Sequence, residues 1–175
     1  MKQVALFLSG DGGWDRGMAG MAAELASEGS LVVGIDTQKF FDVLDDDDGT
    51  CVFPDGDLEN LSHYVQAYYK LPTYYTPVLL GYSAGASLAY ATLVQAPRGV
   101  FGGALSLAFC ADLDLVKPLC KTESLQYTPR KEGGFRLTPP DRLRAPWFLL
   151  HGPPIKCVPR ARLVSSRRRP GVRIT

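Results

Sequence analysis

Gly81-Tyr82-Ser83-Ala84-Gly85 reads G-x-S-x-G, a serine between two glycines at a fixed spacing. A pentapeptide of this form arises by accident in roughly one chain in twenty of this length, so its flanks decide its meaning. Thr76-Pro77-Val78-Leu79-Leu80 before it is a short apolar run after a proline, as a buried parallel strand requires. Residues 84–95 after it are rich in Ala, Leu and Tyr and stop short of Pro97, as a helix requires. Strand, glycine-flanked turn and helix together form the nucleophile-elbow context of serine hydrolases. In that context Ser83 is the expected nucleophile. The start of the following helix offers free N–H groups and a positive dipole end to a developing oxyanion.

Working outward, strands and helices alternate. Residues 4–8 read as a first strand and 10–14 as a glycine-rich turn. Residues 15–28 carry Met18, Met21, Ala22 and Leu25 at helical spacing, and 31–35 read as a second strand. A polar segment follows. Residues 58–71 read as a helix, 78–80 as the third strand, 100–109 as the fourth and 146–150 as the fifth. Residues 110–140, with several prolines and Gly133-Gly134, read as an irregular inserted cap. The expected fold is therefore α/β: a three-layer, doubly wound, mostly parallel sheet of the α/β-hydrolase type, incomplete at its C-terminal end. Such a sheet carries its site at the carboxyl ends of the strands. The expected organisation is one domain over 1–152 and a basic tail over 153–175.

The oxyanion donors are expected at Ala84 and at Asp11 and Gly12 of the loop Gly10-Asp11-Gly12-Gly13. No G-x-x-x-x-G-K-[ST] follows that loop, which argues against a nucleotide site. The acid and base are harder to find. In this fold they follow the serine in the order acid, then His. After the fifth strand the chain reads His151-Gly152-Pro153-Pro154-Ile155-Lys156-Cys157-Val158-Pro159, with neither an acid nor a further His. His151 and Asp112 remain as candidates; His63 precedes the serine, on a helix.

Composition bounds the rest. The 175 residues suit one domain with a real core. Residues 1–141 hold all 18 acidic residues and 10 of the 19 basic ones, and residues 142–175 hold the other nine basic residues and no acid. Ser166-Arg167-Arg168-Arg169 lacks the interleaved aromatics of a nucleic-acid site, so no nucleic-acid partner is expected. With no C-x-x-C pair and two His, no metal is expected, and no cofactor. Asp45-Asp46-Asp47-Asp48 lacks the spacing of a calcium loop. The first eight residues read as a strand rather than a signal peptide. Cys110 and Cys120 flank a short loop and are expected to pair in an oxidising compartment, two free thiols being the alternative.

Leu8-Ser9-Gly10-Asp11-Gly12-Gly13-Trp14, Gly81-Tyr82-Ser83-Ala84-Gly85-Ala86, Cys110-Ala111-Asp112-Leu113-Asp114 and Trp147-Phe148-Leu149-Leu150-His151-Gly152 resemble the bacterial virulence protein VirJ and the related AcvB proteins. The resemblance spans roughly residues 3–152. It implies a periplasmic serine hydrolase whose nucleophile is Ser83. It also implies a small-molecule or lipid ester substrate, lysyl-phosphatidylglycerol in the AcvB branch, with membrane-surface contact and secretion-system proteins as partners. The family runs on after His-Gly to an Asp-Gln-Val-Cys-Pro-like stretch. Residues 154–159 could be encoded CCG ATC AAG TGT GTC CCx, which two bases along reads GAT CAA GTG TGT CCx, or Asp-Gln-Val-Cys-Pro. A frameshift near Pro153 is therefore expected to have replaced the acid, the last strand and the His, leaving this chain an impaired or inactive esterase. A non-catalytic binding or secretion-accessory protein on the same fold is the alternative.

Overall fold

The computed structural model describes residues 3–152. The expected tail, and with it the frameshift, lies outside the described residues. The elements are β1 (Gln3–Leu8), α1 (Arg16–Ser27), β2 (Ser30–Ile35), α2 (Thr37–Asp45), α3 (Pro54–Tyr68), β3 (Val78–Tyr82), α4 (Ala84–Gln95), β4 (Gly103–Leu107), β5 (Asp112–Leu113), β6 (Gln126–Pro129), β7 (Phe135–Thr138) and β8 (Trp147–Leu150). Five strands form one parallel sheet in the order β2-β1-β3-β4-β8. The mostly parallel, helix-covered sheet is the expected α/β architecture.

Alternation along the strands separates two cores, because successive side chains point to opposite faces. Leu6, Leu8, Leu79, Trp147 and Leu149 face α2, α3 and α4. Ala5, Phe7, Leu80 and Leu105 face α1, where they meet Met18, Met21, Ala22 and Leu25. α4 is the central helix: every residue from Gly85 to Gln95 is buried, as a helix apolar on all sides must be. Its few polar groups bond outward into the chain around it. Gln95 Nε2 donates to the carbonyls of Val52 (3.1 Å) and Cys120 (2.9 Å), and Ser87 Oγ donates to that of Cys110 (2.5 Å). Tyr90 packs 4.5 Å from the Trp147 ring and 5.2 Å from that of Phe109, joining α4 to β8. Burial pushes the Tyr90 hydroxyl pKa up to about 12.

Coverage of the α1 face is uneven. Among the described residues, no helix packs over Phe148 and Leu150 on the edge strand β8, which are 65 % and 58 % exposed.

Three expectations are corrected. Residues 37–45 form a helix rather than a polar connection. Asp36 caps it, accepting from the N–H groups of Gln38 and Lys39, and Phe41 and Leu44 bury into the core. Residues 110–140 are not irregular: β5, β7 and β6 form an antiparallel sheet whose Leu113 and Leu137, with the nearby Leu115, Leu119 and Leu125, join the main core. The cysteine pairing also differs. Cys120 bonds Cys51, not Cys110, with Cα atoms 4.9 Å apart. A bridge between Val52 and Leu119 sets this up: the N–H of Val52 donates to Pro118 and that of Cys120 donates to Val52.

Candidate functional site

The turn at Ser83 is built by its two glycines. A Cβ on Gly81 would lie 2.2 Å from the carbonyl oxygen of Gly85, and one on Gly85 would lie 2.3 Å from that of Ser9. No side chain fits at either position. β3 can therefore turn directly into α4 while the helix start rests on the end of β1. Ser83 takes φ 52°, ψ −117°, a left-handed conformation that costs a non-glycine residue of order 1–3 kcal/mol. Its backbone is fixed on both sides. Its N–H donates to Leu107 (3.0 Å), and its carbonyl accepts from Ala86 (2.9 Å) and Ser87 (3.2 Å). The side chain takes no part in capping α4. The half-exposed hydroxyl instead donates to Asp11 Oδ2 at 2.6 Å.

The glycine-rich loop is held just as firmly. Buried Ser9 accepts two hydrogen bonds from buried Thr37: Thr37 N–H donates to Ser9 Oγ (3.0 Å) and Thr37 Oγ1 to the Ser9 carbonyl (2.7 Å). Gly10 has no room for a Cβ, which would meet the Tyr82 ring at 2.8 Å. Gly13 turns the chain at φ 71°, donating its N–H to Gly10 (3.1 Å). Trp14 then covers Gly34 and stands edge-on to Phe7, with centroids 5.8 Å apart. Among the described residues, the N–H groups of Asp11 and Gly12 donate to no acceptor. Ala84, the first residue of α4, has no intrahelical acceptor by position.

Ser83, Ala84, Asp11 and Gly12 thus converge at the carboxyl ends of β1 and β3. Asp112 does not join them. Arg136 takes both its oxygens, Nε to Oδ1 at 2.7 Å and Nη2 to Oδ2 at 3.0 Å, and Arg130 stands 3.9 Å away. The Arg136 hydrogen bond holds the Asp112 carboxyl below the usual carboxylate range, with Arg130 adding to it. His151 follows β8, two strands from β3, or about 10 Å of sheet. It is exposed and makes no hydrogen bond among the described residues. His63 stacks on Tyr74 at 4.1 Å, on α3. The sequence reading used only the backbone of Asp11 and missed its carboxylate; the available signal was an acid inside a glycine loop.

A concavity of about 240 Å³ lies beside the disulfide and is lined by Val43, Leu44, Asp47, Cys51, Val52, Phe53 and Asp57. Burial raises the Asp57 carboxyl, and the charge of Asp47 raises it further. Among the described residues, no helix is long and apolar enough to cross a membrane.

The model of a family described as bacterial virulence protein (VirJ) matches residues 2–100. The chain belongs to the VirJ family. The VirJ match takes in β1 through α4, and so includes both the Ser9–Trp14 loop and the turn at Ser83. β4 through β8, with Asp112 and His151, lie beyond the part matched by the VirJ model. No curated protein and no solved structure matches the chain.

Proposed function

We propose that this VirJ-family chain carries a serine-esterase site with Ser83 as nucleophile. The N–H groups of Ala84, Asp11 and Gly12 form its oxyanion hole. One observation carries the reading: Ser83 is held at positive φ on a turn that tolerates only glycine at Gly81 and Gly85, with its hydroxyl outside the helix cap and facing the glycine-rich loop. A structural N-cap serine would bond its own helix. The substrate class is an ester, in intact relatives an aminoacyl lipid of the lysyl-phosphatidylglycerol type. The Cys51–Cys120 disulfide favours an oxidising, periplasmic location.

The chain lacks a conventional base and orienting acid beside Ser83 among the described residues, which favours a second reading: a binding or secretion-accessory protein on the hydrolase fold. The frameshift near Pro153 explains the lack, and resequencing the locus tests that explanation. A confirmed frame with no His-containing continuation in either other frame removes it. Labelling by a fluorophosphonate probe separates esterase from binder. The esterase reading expects an adduct on Ser83 that Ser83→Ala abolishes; a chain that stays unlabelled while its reading frame is confirmed favours the binder.

A further inference from the structure

Accepting Ser83 as the nucleophile, we propose that Asp11 is its proton acceptor in this chain, the part a histidine plays in a triad. The hydroxyl of Ser83 donates to Asp11 Oδ2 at 2.6 Å, the length of a charge-assisted O–H···O⁻ bond. The proton that must leave is therefore already directed at a carboxylate oxygen. Among the described residues, Asp11 makes no ion pair, unlike Asp112 with its two arginines. No His bonds the Ser83 hydroxyl there either. The loop from β1 thus brings donors and acceptor in together: the free N–H groups at Asp11 and Gly12, and the carboxylate of Asp11.

Charge bookkeeping favours the assignment. If another group took the proton, the oxyanion would form beside an anionic Asp11, and like charges at contact distance repel, though solvent weakens the effect at this exposed site. If Asp11 takes it, the carboxylate becomes neutral as the oxyanion appears, and one negative charge moves across the site. In the first step the Ser83 proton passes to Oδ2, the Oγ–carbon bond forms and the carbonyl π pair moves to oxygen. The tetrahedral intermediate collapses, the ester C–O bond breaks, and the leaving alkoxide takes the proton from Asp11. Water then gives its proton to Asp11 and adds to the acyl-serine. Collapse releases the carboxylic acid, and Oγ recovers the proton. Ester and water become acid and alcohol, and no other reactant is needed.

The test is the rate of fluorophosphonate labelling of the purified full chain, followed by intact mass, with Ser83→Ala as the blank. Asp11→Asn keeps the shape and removes the acceptor, and should slow labelling about 100-fold or more, the lower limit for general-base assistance. Asp11→Ala should be slow likewise and should recover several-fold with added formate, a response that a structural role would not give. Asp11 is exposed and, among the described residues, its side chain bonds only Ser83, so both variants should melt with the parent. Labelling of Asp11→Asn at the parental rate overturns the role of Asp11 alone. So does loss of labelling in His151→Gln while Asp11→Asn still reacts. Absence of any Ser83 adduct in the parent chain and every variant overturns the esterase reading, and this role falls with it.

Discussion

Gly85 lies against the end of β1 so closely that a Cβ on it would sit 2.3 Å from the carbonyl oxygen of Ser9 and 2.4 Å from that of Leu8. These are backbone atoms of the central sheet and cannot swing aside. Gly85→Ala should destabilise the fold by at least about 3 kcal/mol, the upper end for overpacked cores. Gly12→Ala meets nothing within 4 Å and should melt with the parent. Thermal melts of the two variants make the comparison; equal melting points would mean that the elbow is not packed as described.

Cys51 and Cys120 are 69 residues apart in sequence. Closing a loop of that length stabilises by about 4 kcal/mol in the chain-entropy account. Cys120→Ser should lower the denaturation midpoint strongly, and reductant should do the same to the parent. A peptide map without reductant should join Cys51 to Cys120; a Cys110–Cys120 peptide would contradict the pairing.

Asp112 gives a pH signature. Its folded carboxyl titrates below the ordinary value because Arg136 bonds the ionised form. The stabilisation is therefore complete above the unfolded carboxylate value of about 3.9 and is lost as pH falls through the lowered folded value. Arg136 is itself 58 % exposed, so solvent screens the pair and its contribution is small. Asp112→Asn should be slightly less stable than the parent at pH 7, and the two should converge near pH 2. Denaturant titrations at both pH values measure this; a difference that grows in acid would reverse the sign of the argument.

Phe148 and Leu150 stand exposed on an edge strand, an arrangement that invites strand-to-strand association. Phe148→Lys removes no buried contact of that size. It should change stability by less than about 0.5 kcal/mol and shift a size-exclusion profile toward the monomer at high concentration. A large loss of stability would show that something covers this face.

The elbow was legible because its chemistry is local: two glycines are needed wherever a strand turns into a helix this sharply. The strands were legible as apolar runs, since parallel strands are buried on both faces. α2 was hidden because only Thr37, Phe41 and Leu44 of its nine residues are buried, and a run of acids follows it. β5, β6 and β7 are two to four residues long, too short for a period to register. The partner of Cys120 was illegible in principle, because the contact that selects Cys51 is the Val52–Leu119 bridge between distant segments. The carboxylate of Asp11 was overlooked for a related reason: loop sequence does not say where a side chain points.

The firm seating of Ser83 separates two ways in which this protein can fail. Its backbone is anchored to β4, its glycines to the end of β1, and α4 behind it is sealed in the core. None of these anchors depends on the identity of the group that receives the serine proton. On the proposed esterase reading, a lesion that removes the base would therefore abolish turnover and leave melting temperature, circular dichroism and expression yield where they were. Assays of foldedness are blind to that damage, and only chemistry at Ser83 reports it.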